Sequence, residues 1–133
     1  MAPAPEDRAA SRRVLVADDE PHIRRVLSTL LESGSLAVDA VVDGNEALSR
    51  LRDPDVDYHL VLLDLMMPGY TGLEVLDELS RIPHRAGVPV VILTAKGQDT
   101  DREKALALGA ADFLTKPFSP KKLLARVQSL LDD

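Results

Sequence analysis

The stretch LVLLDLMMPG at residues 60–69 decides how the rest of the chain is read. Its first four residues, Leu60–Leu63, are apolar without alternation, as in a parallel strand covered on both faces. An acid, Asp64, follows at once, and Pro68-Gly69 then marks a loop. Outward from there the pattern repeats. Short apolar runs stand at Val14–Ala17, Leu36–Val42, Pro89–Leu93 and Asp112–Thr115. Between them the apolar residues take helical spacing. Ile23, Val26, Leu27, Leu30 and Leu31 fall on one helix face, as do Leu73, Leu76 and Leu79. Leu123, Leu124, Val127, Leu130 and Leu131 do the same. Asn45–Leu51 and Asp101–Leu108 are shorter helical segments.

The punctuation agrees with this division. Gly34 and Gly109 follow helical segments, where a left-handed terminating residue is expected. Pro21 falls in a first turn, where a missing N–H costs little. Asp43-Gly44 and Asp53-Pro54 mark loops. Five strands and five helices in strict alternation predict an α/β fold, a doubly wound parallel sheet with helices on both faces. The flavodoxin-like strand order 2-1-3-4-5 is favoured, although periodicity does not itself fix strand order.

Bulk properties narrow the function. The 133 residues fit one domain, and residues 1–11, polar and Pro/Ala-rich, read as a mobile tail before a domain at 12–133. There is no cysteine, so no disulfide framework and no thiolate metal site. No apolar run approaches the roughly 18 residues of a membrane span. The opening MAPAPEDRAASRR lacks the apolar core of a signal peptide, and a cytoplasmic protein is expected. The net charge of −6 is a poor match for nucleic acid. Tyr58, Tyr70, Phe113 and Phe118 are the only aromatic residues, too few for base- or flavin-stacking platforms.

In a sheet of this kind, sites form beyond the carboxyl ends of the strands, where strand order reverses. Asp18 and Asp19 follow the first strand, Asp64 the third, Thr94 the fourth, and Lys116-Pro117 the fifth. Three carboxylates brought together repel, and need a cation or raised pKa values. Hard oxygen donors of this kind suit Mg²⁺. Lys116 can pair with a carboxylate or a phosphoryl oxygen, and Thr94 can donate a hydrogen bond to one. The set points to metal-assisted phosphoryl transfer onto a carboxylate. Each residue singly has a plainer explanation: Asp19 as a helix cap, Asp64 as a turn residue, Thr94 as a strand end, Lys116 as a solvated charge. Their joint occurrence at four strand ends favours the site. His22, His59 and His84 have no ligand-like spacing and read as ordinary histidines.

VLVADDE at Val14–Glu20, the run Val61–Gly72, VVILTA at Val90–Ala95 and ADFLTKPF at Ala111–Phe118 together resemble the receiver domain of bacterial response regulators. The likeness runs from about Arg13 to Leu131. Thr94 stands thirty residues after Asp64 and Lys116 twenty-two after Thr94, as in that family. The resemblance implies that Asp64 takes a phosphoryl group from a histidine kinase or phosphotransfer protein. It implies that Asp19 ligates Mg²⁺ directly, Asp18 largely through water, and Met66 through its backbone carbonyl. Lys116 would pair with the phosphoryl group, Thr94 would move toward it, and Phe113 would swing inward with Thr94. The Lys116–Pro117 bond is expected to be cis. The fourth helix, fifth strand and fifth helix would form the output face toward a downstream protein or effector domain, with Lys104, Asp112 and Arg126 on or near it.

Some positions depart from the family pattern. Phe113 replaces the commoner tyrosine and has no hydroxyl. Met66 and Lys96 occupy positions that tune acyl-phosphate lifetime. Within the winged-helix DNA-binding branch, an acid usually stands where Lys122 does, pairing across a dimer with a base near Lys104. Two lysines turn that pair into a repulsion, so a monomer or weak dimer is expected. Other readings are a receiver cut from a longer DNA-binding regulator, a docking-only receiver, a flavin binder and an aspartyl-phosphate phosphohydrolase. The last would need a second aspartate where Met66 stands.

Overall fold

Residues 12–95 and 99–132 are described by a computed structural model; the expected tail at residues 1–11 and Lys96 lie outside them. Each apolar run forms a strand: β1 Arg13–Ala17, β2 Ala37–Val41, β3 Leu60–Asp64, β4 Val90–Thr94 and β5 Asp112–Thr115. The helices between and after them are α1 Pro21–Ser33, α2 Gly44–Arg52, α3 Gly72–Leu79, α4 Asp99–Ala107 and α5 Pro120–Asp132. All strand pairs are parallel, in the order β2-β1-β3-β4-β5. This is the flavodoxin-like order favoured above, which the alternation alone left open. Sequence order reverses where β1 lies beside β3, with Ala17 opposite Leu63.

Alternate residues of each strand enter separate cores. Val14, Val16, Leu60, Leu62, Val91 and Leu93 pack with Leu27 and Leu31 of α1 and Leu123 and Val127 of α5. Leu15, Val61, Leu63 and Ile92 pack on the other side with Leu48, Leu51, Val75, Leu79 and Phe113. Both faces of the central strands are therefore dry, which is why their sequence shows no polar alternation. Each fully buried leucine contributes roughly 2 kcal/mol relative to exposure.

Three local expectations need correction. Asp64 and Thr94 are the last residues of their strands rather than the first beyond them. Asp43-Gly44 is a helix start: the Asp43 side chain accepts from Glu46 N–H at 2.8 Å and Gly44 opens α2. Gly34 is not left-handed, with φ of −92°; Ser35 takes that role at φ of 66°. Gly34 serves close packing instead. A Cβ there would lie 3.0 Å from Leu124 Cδ1 and 3.3 Å from Gln128 Nε2, so glycine lets α5 approach the end of α1. Gly109, at φ of 101°, is left-handed as expected. A short 3₁₀ turn at Pro83–Arg85 has no periodicity to announce it.

Candidate functional site

The residues that close β1 and β3 meet where strand order reverses. One carboxylate oxygen from each of Asp18, Asp19 and Asp64 lies within 4.8 Å of the others. Among the described residues this is the only such acidic group. Asp18 and Asp64 are buried, at 1% and 7% exposure, and Asp19 is exposed. Lys116 reaches in from beyond β5. Its Nζ lies 2.8 Å from Asp18 Oδ2 and 3.8 Å from Asp64 Oδ1. The Lys116–Pro117 peptide is cis.

The surrounding backbone fixes these side chains. Asp18 Oδ1 accepts from Glu20 N–H at 2.9 Å, and the Asp18 carbonyl accepts from the Arg24 guanidinium at 2.8 Å. Asp19 does not cap α1: the N-cap is Glu20, without a side-chain hydrogen bond. The plainer account of Asp19 therefore fails, and its carboxylate belongs to the cluster. On the other side α3 begins hard against the end of β3. A Cβ on Gly72 would come 2.5 Å from the Asp64 carbonyl oxygen, so only glycine fits. Thr71 and Glu74 form a reciprocal capping box that starts this helix. Thr94 is fully buried at the end of β4, and its carbonyl accepts from Lys116 N–H at 2.7 Å. The loops carrying threonine and lysine are thereby tied together.

Charge is unbalanced here. Burial pushes the Asp64 carboxyl up to about 6, and the Asp18 carboxylate adds to the rise. Lys116 and the Met66 backbone N–H, hydrogen-bonded to Asp64, pull it back, while Asp19 raises it further. The donor set is all oxygen, with no thiolate or imidazole, and fits a hard divalent cation such as Mg²⁺. The Met66 backbone borders the site while its side chain is 65% exposed.

Asp18, Asp19, Asp64 and Lys116 thus converge, with Thr94 one strand away. Phe113 lies two residues before Thr115 with its ring buried in the core beneath α2–α4. Asp112 and Arg126 pair at 2.9 Å, and Lys104 is exposed on α4. Two contributors escaped the sequence reading. Arg24 carried no signal, because a helical arginine looks solvated. The capping box did carry one, since Thr71-Gly72-Leu73-Glu74 has the Thr-x-x-Glu spacing.

Comparison with known proteins agrees with this geometry. The family model described as the response regulator receiver domain matches residues 14–128. The phosphate regulon transcriptional regulatory protein PhoB of Escherichia coli is 40% identical over 121 residues, covering 91% of this chain and 52% of that protein. The transcriptional regulatory protein ResD of Bacillus subtilis is 39% identical, covering 94% of this chain and 50% of its own length. The chain therefore spans about half the length of these relatives. A CheY-like receiver domain protein from Methanospirillum hungatei superimposes with a TM-score of 0.85 at 25% identity, over 91% of this chain and 94% of that one.

Proposed function

The chain belongs to the response regulator receiver family of two-component signalling, and from that premise we propose that Asp64 accepts a phosphoryl group from a histidine kinase or phosphotransfer protein. The observation that carries this is the meeting of Asp18, Asp19 and Asp64 with Lys116 where strand order reverses. An Asp64 carboxylate oxygen attacks the phosphorus of a phosphohistidine. The P–N bond breaks, the imidazole leaves with the electron pair, and an acyl phosphate forms. Asp18, Asp19, Asp64 and the Met66 carbonyl would hold Mg²⁺, which neutralises the carboxylates and the incoming phosphoryl oxygens. Lys116 exchanges its pairing with Asp18 for a phosphoryl oxygen.

The new charge and acceptor oxygens are then read by Thr94. Thr94 moves toward the phosphoryl group and draws the Lys116 loop with it through their shared backbone hydrogen bond. Phe113, with its ring inside, occupies the room that an inward aromatic needs. The change is delivered to the face made by α4, β5 and α5, which addresses a downstream protein or effector domain. The module acts in signalling rather than in turnover, in the cytoplasm, from a domain at 12–133. Among the described residues no helix is long and apolar enough to cross a membrane.

Incubation with Mg²⁺ and acetyl phosphate, read by intact mass, tests the reading. One phosphoryl addition is expected, lost with Asp64→Asn and lost when the metal is chelated. Equal addition to Asp64→Asn sinks the assignment. Sustained hydrolysis of phosphate esters by the wild type points instead to a phosphohydrolase.

A further inference from the structure

At the amino end of the sheet, opposite the acidic cluster, a cavity of about 240 Å³ opens between α3, the turn before β4 and the end of α4. Leu76, Leu79, Val90 and Leu108 make its walls apolar. Among the described residues Arg85 is the one charged side chain in its lining. The volume lies below the roughly 300–1,000 Å³ of pockets for drug-sized ligands, so it suits a molecule of few heavy atoms.

Arg85 is 3% exposed. A guanidinium carries five N–H donors and stays charged. Nε and Nη2 turn to the end of α2, where they donate to the carbonyls of Leu51, Arg50 and Asp53. The group also lies over the Tyr58 ring. These dipoles offset the charge but supply no anion, and a buried arginine is ordinarily paired with one. Nη1 makes no hydrogen bond among the described residues. No fully buried side-chain nitrogen among them lacks a partner, so Nη1 keeps some exposure, and the cavity is where Arg85 opens. On the same lining the Gly87 N–H donates to nothing among the described residues, while its neighbours Ala86 and Val88 donate to the carbonyls of Pro83 and Arg85. Two unspent donors thus border an apolar cavity that carries a single positive charge.

One charge and two donors match the single charge and two oxygens of a carboxylate. A phosphate dianion would bring a second negative charge toward the carbonyl ends of α3 and α4, which are themselves negative. We propose that this cavity binds a small monocarboxylate with a short apolar tail, its oxygens on Arg85 Nη1 and the Gly87 N–H and its tail against Leu76, Leu79 and Leu108. The binding is a property of the unphosphorylated chain and does not rest on the role of Asp64.

Isovalerate, its neutral amide isovaleramide and inorganic phosphate, each titrated into the full chain and followed by amide shifts, test it. Isovalerate is expected to bind saturably and at least about tenfold tighter than either of the others, with shifts centred on Arg85, Gly87 and Gly109. Because Arg85 also closes α2, the variants are made at Ala86, which is exposed on the lip of the cavity. Ala86→Glu offers Arg85 a carboxylate of the chain's own and is expected to weaken isovalerate at least about tenfold. Ala86→Lys, of similar length and opposite charge, is expected to bind it within about threefold of wild type. Isovaleramide binding as tightly as isovalerate, phosphate binding tighter, no saturable shift, shifts centred elsewhere, or equal losses from the two Ala86 variants each overturns the proposal.

Discussion

Toward the amino end of the sheet Asp39 is surrounded by donors, while at the carboxyl end Asp18, Asp19 and Asp64 are surrounded largely by one another. Asp39 accepts from Arg13 at 2.8 Å and from the Tyr58 hydroxyl at 2.6 Å, with Arg50 at 3.5 Å. Behind Tyr58 lies Arg85, buried and, among the described residues, bonded to carbonyls rather than to a carboxylate. Its guanidinium donates to the carbonyls of Leu51 and Asp53 at 2.8 and 2.7 Å and to Arg50 at 3.3 Å, closing the end of α2. It also sits 5.1 Å from the Tyr58 ring centroid. Burial, with the Asp39 carboxylate assisting, pushes the Tyr58 phenol up to about 12, and so keeps it a donor. Every charge in that cluster is met. At the other end, among the described residues, one lysine serves Asp18 and Asp64 with Asp19 beside them, and a proton or a cation relieves the three. One end stabilises the fold, and the other holds unfavourable charge of the kind the proposed phosphoryl transfer would use.

The largest expected effect falls at the well-paired end. Replacing Arg85→Met takes a donor from three carbonyls, of which Arg50 keeps Asp53 N–H and Leu51 keeps His84 Nε2, and removes the cation beside Tyr58. A loss of about 3 kcal/mol is expected in urea melts, with phosphoryl labelling per folded molecule unchanged. A loss below about 0.5 kcal/mol would erase the contrast between the two ends.

The opposite sign is expected at the crowded end. The Asp64 carboxyl is raised from 3.8 to about 6, so the fold favours its protonated form. Its ionisation therefore weakens the fold above about pH 6 and has no such effect below about pH 4, where the group is protonated whether the chain is folded or not. Asp64→Asn removes that charge. It is expected to stabilise the metal-free protein by on the order of 2 kcal/mol near neutral pH, with the gain fading toward pH 4. Melts across that range decide it, and a destabilised Asn variant at neutral pH would invert the electrostatic account.

A smaller change sharpens the comparison. Tyr58→Phe deletes one hydrogen bond to Asp39 and leaves both arginines in place. A loss of about 1 kcal/mol is expected, readable in the same melts. A loss as large as that of Arg85→Met would mean that the phenol, not the guanidinium, holds this end together.

The two ends also differ in how far sequence reveals them. Strands buried on both faces show as unbroken apolar runs, and a charged residue at the close of such a run stands out. Asp18, Asp64 and Lys116 were legible for that reason, whereas alternation gave the parallel sheet but not the order of its strands, which β-strand periodicity does not encode. Arg85 and Tyr58 were not legible. Their partners lie more than thirty residues away in α2, or 19 residues away at Asp39, and no local pattern separates a buried arginine from a solvated one. Gly34 and Ser35 misled for a related reason. A glycine after a helix suggests a left-handed turn, but here its missing side chain makes room for Leu124, a contact from the far end of the chain. Helix α4 begins at Asp99, two residues before its expected start, because Asp99 and Asp101 give its first turn acids without apolar periodicity.

Borohydride reduction of the protein after Mg²⁺ and acetyl phosphate treatment, followed by peptide mass spectrometry, tests the central claim most directly. An acyl phosphate on Asp64 predicts homoserine at position 64, absent without the phosphodonor. Homoserine at another aspartate, or a phosphoryl group that resists reduction and maps to a hydroxyl or imidazole, would contradict it.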